Sequence, residues 1–517
     1  MPHGTRFALL LGLTLVFRFW LGSALPISGD EAYFIWWGWQ PDWGFYDHPP
    51  MIGWWLAALA SLSNADAWLR LPSIVQPALL SLAIWWALPR LWPDIDDTRR
   101  YGIATLVLLA PANIWNVLIT TDTPLVYFSV LSALAWLRAA QEREGDGLRW
   151  YLVSGVFLAG AVLSKYFIAL LGFAYLIDVL RRRTPWAFAG LIVAYACCVP
   201  ALVLMGWWNS ANCWSNYMFN FVNRHGKAGA SLTTPLLYAV SLLYLLTPPA
   251  LWFVLKNYRN RRVASADLRN DGLADGRTTA TLFTVPLLLF ALLSVPKTIG
   301  LHWLLTFVPL FLIWLGMRVT ATQMLTLIRF FAGLALLHVL AIVAIAQLPL
   351  ETWKKQGFYG SAVLTVAHQE FADFIVKERQ SSAQPWVLAM DGYSNAVTLG
   401  YNLREHVLVF GNGSSHARHD DIQTDFRALA GRNILILSKD APKTDEYTPF
   451  FTIVSVEPFV IRGATFWRVR GEGFQYEAYR DRVLRRIKEK YYRLPHWLPQ
   501  RACYLCDRYF PGEVCLK

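Results

Sequence analysis

The chain has 517 residues, of which 55% are hydrophobic and 16% are charged, and it contains 25 Trp. This composition excludes an intrinsically disordered chain and a small disulfide-rich secreted scaffold. The net charge of +12 does not indicate nucleic-acid binding. The basic residues of the first 349 positions lie mostly in short segments between apolar runs, as the orientation of a membrane protein requires.

Apolar runs of spanning length predict a polytopic α-helical membrane protein over residues 1–349, with about 11 to 13 transmembrane helices. The first run lacks a convincing cleavage site and is expected to remain as an anchor. The run 51–63 is too short to cross about 30 Å of hydrocarbon, so it is predicted to form an interfacial or re-entrant helix. The predicted crossings are roughly residues 7–26, 68–88, 101–119, 123–137, 150–164, 166–180, 186–206, 236–255, 279–295, 303–317 and 325–347.

The distribution of Lys and Arg predicts the orientation of the chain. The stretch 150–180 is compatible with one long tilted helix or with two short helices that meet at residues 164–166, and only two helices keep most basic residues on one side. The amino terminus is then expected in the cytoplasm, with residues 350–517 across the membrane as a soluble α/β domain. The outer loops on that far side are 27–67, 120–124, 164–166, 207–235 and 296–302.

The first outer loop is the most informative segment. Residues 29–50 (GDEAYFIWWGWQPDWGFYDHPP) combine two adjacent acids, a dense aromatic run and an acid followed by His-Pro-Pro, without any Lys or Arg. One interpretation is an interfacial aromatic belt with incidental carboxylates. The position of Asp30 and Glu31 directly after an apolar span favours a functional interpretation, because carboxylates near hydrocarbon are costly to keep.

Other outer loops supply a further acid and several cations. Asp122, in Thr-Asp-Thr-Pro, taken alone favours a helix cap, but Asp30, Asp47 and Asp122 together give three carboxylates that are able to converge. Lys165 or Lys297 alone is equally well explained as a snorkelling residue. As a set, the outer cations and histidines fit a phosphate near the membrane surface: Lys165, Arg224, His225, Lys297 and His302.

These groups predict the transfer of a substituent from a lipid-linked phosphate. A carboxylate would serve as general base toward an acceptor hydroxyl, while the cations stabilise the departing phosphate. A single direct displacement would invert the configuration of the transferred carbon. Asp47 with His48 or His225 also offers ligands for a divalent metal ion, although no tight ligand spacing requires one.

The motifs resemble those of the GT-C membrane glycosyltransferases, in particular the branch with the aminoarabinose transferases of lipid A, related lipopolysaccharide sugar transferases and protein O-mannosyltransferases. The resemblance rests on the acidic pair and on Tyr-Asp-His-Pro-Pro, Thr-Asp-Thr-Pro-Leu and Ser-Lys-Tyr, and it covers about residues 1–350. It implies a polyprenyl-phosphate sugar donor and a lipid A or lipopolysaccharide-core acceptor. It also implies inverting transfer at the periplasmic face of a bacterial inner membrane.

By motif position, the resemblance implies that Asp30 and Asp122 are the catalytic acids. Asp47-His48 stands where the aminoarabinose enzymes carry Glu-Lys before Pro-Pro. His48 need not be charged at neutral pH, and this departure argues against aminoarabinose as the sugar. The expected substrate-binding residues are Glu31, Tyr46, Asp47, His48, Lys165, Arg224, His225, Lys297 and His302.

The tail pattern predicts a small α/β domain. Its expected elements are a helix at 371–379, strands at 386–390, 407–410 and 434–437, a hairpin at 451–469 and a long basic helix at 476–492. The glycine-containing loop 411–415 reads as a plain turn rather than as a phosphate-binding loop. For the three cysteines Cys503, Cys506 and Cys515, a disulfide is favoured. Because three is an odd number, one of these cysteines would stay free, pair with Cys213 or bind another group.

Three other functions are compatible with parts of the pattern. Protein O-glycosylation differs from the main hypothesis only in the acceptor. A lipid or solute transporter would favour paired charges deep in several spans and a repeated half-architecture, whereas the main deep charges here are Arg18 and Asp178. A structural anchor for the soluble domain leaves the acids of three outer loops unexplained.

Overall fold

A computed structural model describes residues 2–142, 144–223, 229, 231–261, 276–380, 384–411, 418–443, 445–499 and 501–513. The chain divides into two compact units. One, the helical unit, consists of Met1–Ala24, Ser63–Leu204 and Lys227–Ala346. The other, the sheet unit, consists of Leu25–Leu62, Met205–Gly226 and Gln347–Lys517. The boundary at residues 349 and 350 between membrane and soluble parts stays a prediction.

The helical unit is built from helices of very different lengths. Its long helices are His3–Ala24, Leu71–Leu91, Asp122–Gln141, Pro185–Ala211, Gly276–Leu293 and Ala321–Ala346, of which Pro185–Ala211 ends in the sheet unit. Its shorter helices are Asp66–Leu69, Asp97–Leu108, Pro111–Trp115, Leu148–Val162, Ala169–Arg182, Thr233–Leu246, Pro248–Arg261 and Val308–Gly316. Single turns of 3₁₀ helix occupy Glu144–Gly147, Tyr166–Ile168 and Leu301–Leu304.

Length and composition identify this chain as a multi-pass membrane protein. Within the described residues, six helices are long and apolar enough to cross a membrane, or seven if a pair bent by 87° counts as one span. The figure of 11 to 13 crossings stays a prediction, because helices such as Leu148–Val162, with 15 residues, fall short of the usual spanning length. The break between Val162 and Ala169 confirms the two-helix interpretation of residues 150–180.

The deep charges of the helical unit are held by packing contacts. Arg18 is 1% exposed and donates to the carbonyl oxygens of Ile74 and Asn116, each at 2.7 Å. Asp178 is fully buried and pairs with Arg181 at 2.6 Å and with Arg182 at 3.0 Å. Buried charges of this kind are stable only with partners, and these partners account for both residues without a transport pathway.

The sheet unit contains one mixed five-stranded sheet in the order β2-β1-β3-β5-β4. The strands are β1 (Trp386–Met390), β2 (Leu408–Val409), β3 (Asn433–Ser438), β4 (Phe451–Ile461) and β5 (Ala464–Phe474). β1 is parallel to β2 and β3, and β5 is antiparallel to both β3 and β4. All six residues of the central β3 are buried, as expected for a strand covered on both faces.

Helices of the tail surround this sheet. The two earlier segments of the sheet unit, Leu25–Leu62 and Met205–Gly226, also contain helices and are here called the inserted segments. The inserted segments form helices Gly29–Trp39, Met51–Ala60 and Ser215–Tyr217 and a wider π-helical turn at Met218–Val222. In the tail the helices are Tyr359–Val366, His368–Gln380, Tyr393–Leu403, Asp420–Gln423, Tyr476–Tyr479, Arg485–Tyr491 and Tyr504–Tyr509, with a π-helical turn at Arg480–Leu484. Single 3₁₀ turns occupy Leu350–Trp353, Phe426–Leu429 and Thr448–Phe450.

The predicted tail elements are confirmed with shifted ends. The predicted strand 386–390 is observed with the same bounds, and the hairpin extends to Phe474. The predicted long basic helix is interrupted by the π-helical turn Arg480–Leu484. Met51–Ala60 has 10 residues, so the interpretation of this run as a helix too short to cross the membrane is confirmed.

Covalent and hydrogen bonds join the three segments of the sheet unit. A disulfide links Cys213 to Cys503, which are 290 residues apart. The backbone N–H of Arg501 donates to the carbonyl of Ser210 at 2.8 Å, and the Asn216 side chain donates to the carbonyl of Phe45 at 2.7 Å. The structure thus selects Cys213 as the partner of a tail cysteine. Cys506 is also disulfide-bonded, and Cys515 lies outside the described residues.

Candidate active site

In the helical unit, Asp122 and Lys165 form a buried ion pair. Lys165 Nζ donates to both carboxylate oxygens of Asp122, at 2.9 and 2.8 Å. Asp122 is 4% exposed and Lys165 is 6% exposed. Asp122 begins the helix Asp122–Gln141, and Thr121 before it makes no side-chain cap hydrogen bond. The carboxylate is therefore directed to Lys165 rather than used as a helix cap.

The local backbone explains how Lys165 reaches this position. Leu148–Val162 and Ala169–Arg182 are separate helices, and Lys165 has an extended conformation with φ −166° between them. In a continuous helix, the direction of the Lys165 side chain would be fixed by the helical repeat. The break between the two helices instead lets Lys165 extend to the carboxylate of Asp122 on another helix.

Of two further predicted residues, one lies beside this pair and the other lies over an aromatic ring near it. His302 Nε2 is 3.8 Å from Asp122 Oδ2, and its side chain is 52% exposed. Lys297 Nζ lies 5.7 Å from the centre of the Trp303 ring, and Trp303 packs against Phe167 with ring centres 4.1 Å apart. Lys165 Nζ lies 5.5 Å from the Phe167 ring. One pair of aromatic rings, Phe167 and Trp303, therefore connects a group of four predicted residues. This group, here called the lysine cluster, consists of Asp122, Lys165, Lys297 and His302.

In the sheet unit, Asp47 is at the centre of a second cluster. Its carboxylate accepts from Arg418 Nη1 at 3.0 Å and from the Tyr33 hydroxyl at 3.2 Å. The side chain of Asn220 holds the Asp47 carbonyl at 2.9 Å. Burial raises the pKa of Asp47, and the charge of Arg418 and the Tyr33 hydrogen bond oppose that rise. At 1% exposure, Asp47 is suited to hold neighbouring groups in place.

Asp30 lies at the exposed edge of the same cluster. The Tyr393 hydroxyl donates to Asp30 Oδ1 at 3.2 Å. Glu31 is buried, and its carboxylate accepts from the backbone N–H of Ser28 at 3.0 Å in a capping box. This box begins the helix that presents Asp30. The predicted contact of Glu31 with substrate stays a prediction.

Tyr46 and His48 complete the contribution of the first outer loop. The backbone N–H of Tyr46 donates to His419 Nδ1 at 3.4 Å. His48 is half-buried against the rings of Phe34 and Trp37. Burial lowers the pKa of His419 to about 4, so this imidazole is neutral at pH 7 and accepts the hydrogen bond. The cluster Asp30, Tyr33, Asp47, Tyr393 and Arg418 is called the carboxylate cluster below.

The structure therefore groups the predicted residues into two sets, each within one unit. Arg224 and His225 lie outside the described residues. The sequence pattern did not indicate roles for Tyr33, Tyr393, Arg418 and His419. Three of these belong to the tail, where no sequence signal connects them with a loop more than 300 residues earlier. Tyr33 had a local signal, because a residue three positions after Asp30 lies on the same helix face.

Metal binding receives no support from the part of the chain that is described. No three His, Cys, Asp or Glu side chains there come close enough together to hold a metal ion. The carboxylate of Asp47, one of the predicted ligands, accepts instead from Arg418 and Tyr33.

Comparisons with known proteins agree with the fold and motifs. Residues 47–204 match the family described as dolichyl-phosphate-mannose-protein mannosyltransferase. The chain is 32% identical over 212 residues to the lipid A galacturonosyltransferase RgtD of Rhizobium johnstonii. That alignment covers 38% of this chain and 43% of the relative, so less than half of the relative's length is matched.

Solved structures share nearly the whole architecture. ArnT from Cupriavidus metallidurans in the apo state superimposes with a TM-score of 0.62 at 16% identity, covering 90% of this chain and 97% of ArnT. The same protein bound to undecaprenyl phosphate gives a TM-score of 0.61 at 15% identity, covering 91% and 98%. The chain thus has an ArnT-like GT-C fold. The resemblance to GT-C membrane glycosyltransferases that the sequence indicated is confirmed.

Proposed function

We propose that this chain is an inverting glycosyltransferase that moves a sugar from a polyprenyl phosphate to a lipid A or lipopolysaccharide-core acceptor. The observation that carries the proposal is the lysine cluster, in which Lys165 and His302 approach Asp122. Lys297 lies over the Trp303 ring, which packs against the Phe167 ring near Lys165. A departing polyprenyl phosphate is stabilised by such positive charge. The names of RgtD and of the undecaprenyl phosphate complex of ArnT support the same donor and acceptor classes.

The proposed reaction is a single displacement. Asp30 takes the proton of an acceptor hydroxyl, and the acceptor oxygen forms a bond to the anomeric carbon. The bond from that carbon to the phosphate oxygen breaks, and the polyprenyl phosphate leaves with the electron pair. Lys165, Lys297 and His302 are assigned to the leaving phosphate, together with Arg224, and Asp122 holds Lys165 in place while facing the sugar.

The proposed location is a bacterial inner membrane, with the amino terminus in the cytoplasm and the outer loops and tail in the periplasm. The positive-inside distribution supports this orientation. The disulfide between Cys213 and Cys503 supports it as well, because disulfides persist in oxidising compartments such as the periplasm.

The test uses the purified full chain in lipid nanodiscs. The donors are undecaprenyl phosphate carrying galacturonic acid, aminoarabinose or mannose, and the acceptors are lipid A and a Ser/Thr-rich peptide. We expect lipid A to trigger the release of undecaprenyl phosphate, and Asp30→Asn to abolish it. The matched control is Asp373→Asn, which removes an exposed carboxylate of the sheet unit and should retain full activity.

The outcomes separate the alternatives. Transfer to the peptide but not to lipid A would identify a protein glycosyltransferase. In closed proteoliposomes, movement of donor across the membrane without release of undecaprenyl phosphate would identify a transporter. Full activity of Asp30→Asn would remove Asp30 from its proposed role.

A further inference from the structure

Tyr393 lies at the edge of the mixed sheet where its parallel strands have their carboxyl ends. It begins the helix Tyr393–Leu403, which follows directly on the carboxyl end of the parallel strand β1. In sheets with parallel strands, ligands bind beyond the carboxyl ends of those strands. The turn is held by Asp391, which accepts from Ser438 at 2.8 Å and from Asn395 at 3.3 Å. The Tyr393 backbone therefore has a fixed position.

A glycine allows the first outer loop to approach this edge. A Cβ atom added at Gly29 would lie 2.1 Å from Ser394 Oγ and 3.1 Å from the Ser394 carbonyl oxygen. Only a residue without a side chain fits this contact. The close approach brings the next residue, Asp30, to the Tyr393 hydroxyl at 3.2 Å.

Arg418 packs against the ring of Tyr393. Its guanidinium carbon lies 3.7 Å from the centre of the Tyr393 ring, and Asp47 holds the same guanidinium at 3.0 Å. Burial raises the pKa of Tyr393 to about 12, while the positive charge of Arg418 acts in the opposite direction. A cation against the ring favours negative charge on the phenol oxygen and so opposes part of the effect of burial. A hydrogen bond from the hydroxyl to an ionised carboxylate is stronger than one between neutral groups.

From these contacts we propose that Tyr393 is a positioning residue for Asp30, and that the sheet unit thereby completes the base of the transfer reaction. This inference rests on the proposed function. The Tyr393 hydroxyl fixes Oδ1, so that Oδ2 of the exposed Asp30 faces the acceptor hydroxyl. Within the described residues, Oδ2 of Asp30 accepts no hydrogen bond. The charged groups that act on this site are Arg418, which attracts a carboxylate, and Asp47, which repels one.

The test compares Tyr393→Phe with Tyr359→Phe in the full chain in nanodiscs, using whichever undecaprenyl-phosphate sugar the wild type turns over fastest. Tyr393→Phe keeps the ring against Arg418 and removes only the hydroxyl. We expect kcat to fall about 10-fold, the size of one charge-assisted hydrogen bond, with the donor KM within about 2-fold of wild type. Tyr359→Phe removes a tail hydroxyl that donates to the carbonyl of Arg462 at 2.7 Å, and we expect it to leave kcat unchanged.

The split between kcat and KM distinguishes positioning from a structural role. Loss of a positioning contact lowers kcat and leaves the donor KM within about 2-fold of wild type, whereas a general loosening of the site also raises the donor KM. Wild-type kcat in Tyr393→Phe would overturn the inference. A fall in kcat accompanied by a larger rise in donor KM would also overturn it. If the wild type turns over no donor, the proposed function itself fails. If Asp30→Asn is as active as the wild type, Asp30 is not the general base, and Tyr393 has no base to position.

Discussion

Lys165 contacts both carboxylate oxygens of Asp122 although 43 residues separate them in the chain. Each residue belongs to a different predicted outer loop, and each had a separate local explanation as a helix cap or a snorkelling side chain. The pairing replaces both explanations with one. A lysine held this firmly has little rotational freedom left, so little side-chain entropy would be lost if it bound a phosphate.

Removing the cation of this pair should destabilise the helical unit. Lys165→Met leaves Asp122 buried without a partner, and breaking a buried pair in this way costs about 3–5 kcal/mol. The double variant Lys165→Met with Asp122→Asn should regain part of that loss, because no uncompensated charge remains. Thermal and denaturant unfolding of the two proteins in nanodiscs measure the difference.

The control for this prediction is the exposed pair of Arg379 with Glu405, at 2.6 Å and with side chains 42% and 34% exposed. Arg379→Met should cost at most about 1 kcal/mol, because solvent screens such a pair. Equal stability of Lys165→Met and wild type would show that the buried pair does not stabilise the fold.

Lys297 should affect donor binding more than protein stability. It is half-buried and lies over the Trp303 ring, from which its ammonium can reach a phosphate. Lys297→Met should raise the donor KM about 10-fold, the value of one charge-assisted contact. Lys256→Met, on the predicted cytoplasmic side, is the matched control. Steady-state kinetics with undecaprenyl-phosphate sugar would contradict the assignment if both variants keep the wild-type KM.

The sheet unit should lose stability in mild acid because of His419. Its pKa falls from 6.5 to about 4 on folding, so the unfolded chain binds more protons than the folded chain between these values. The contribution is fully present above pH 6.5 and is lost as the pH falls toward 4, by roughly 3 kcal/mol in total.

The measurement is denaturant unfolding at several pH values between 7 and 4. His419→Asn keeps an acceptor for the Tyr46 N–H without a titrating ring, and its stability should depend less on pH in this window. His368→Asn, which changes an exposed histidine, should follow the wild-type curve. A His419→Asn curve identical to wild type would refute the assignment.

Loss of the disulfide should loosen the connection between the inserted segments and the tail. Cys213→Ser or Cys503→Ser should each destabilise the sheet unit by about 2–5 kcal/mol, and a reducing agent should reproduce the effect in the wild type. Cys198→Ser changes a free buried thiol and serves as control. If reduction and either mutation leave unfolding unchanged, the bond contributes nothing to the stability of this unit.

The pattern of the sequence predicted the architecture well where the signal was local. Apolar runs indicated the six long helices, the basic residues indicated the break at Lys165, and short apolar runs located β1 through β5. The motifs also indicated Asp122, Lys165, Lys297 and His302, because each stands out within its own loop.

Only the two acids of the carboxylate cluster were predicted from the sequence. Asp30 and Asp47 were visible as acids in an aromatic loop, whereas Tyr393 and Arg418 are unremarkable residues of a soluble domain. Nothing in a single sequence encodes a pairing between positions 371 residues apart, such as that of Asp47 and Arg418. Such pairings arise from tertiary packing, which periodicity and spacing do not report.

The partnership of Asp47 with Arg418 also sets an order of events during biosynthesis. Asp47 is made 371 residues before Arg418, a delay of roughly 20 to 75 s at the usual rates of chain elongation. Throughout that interval its carboxylate lacks the guanidinium of Arg418, while later helices are still being inserted. The nascent protein thus stays without its finished carboxylate centre until translation is almost over, and a chain truncated before Arg418 would never acquire it.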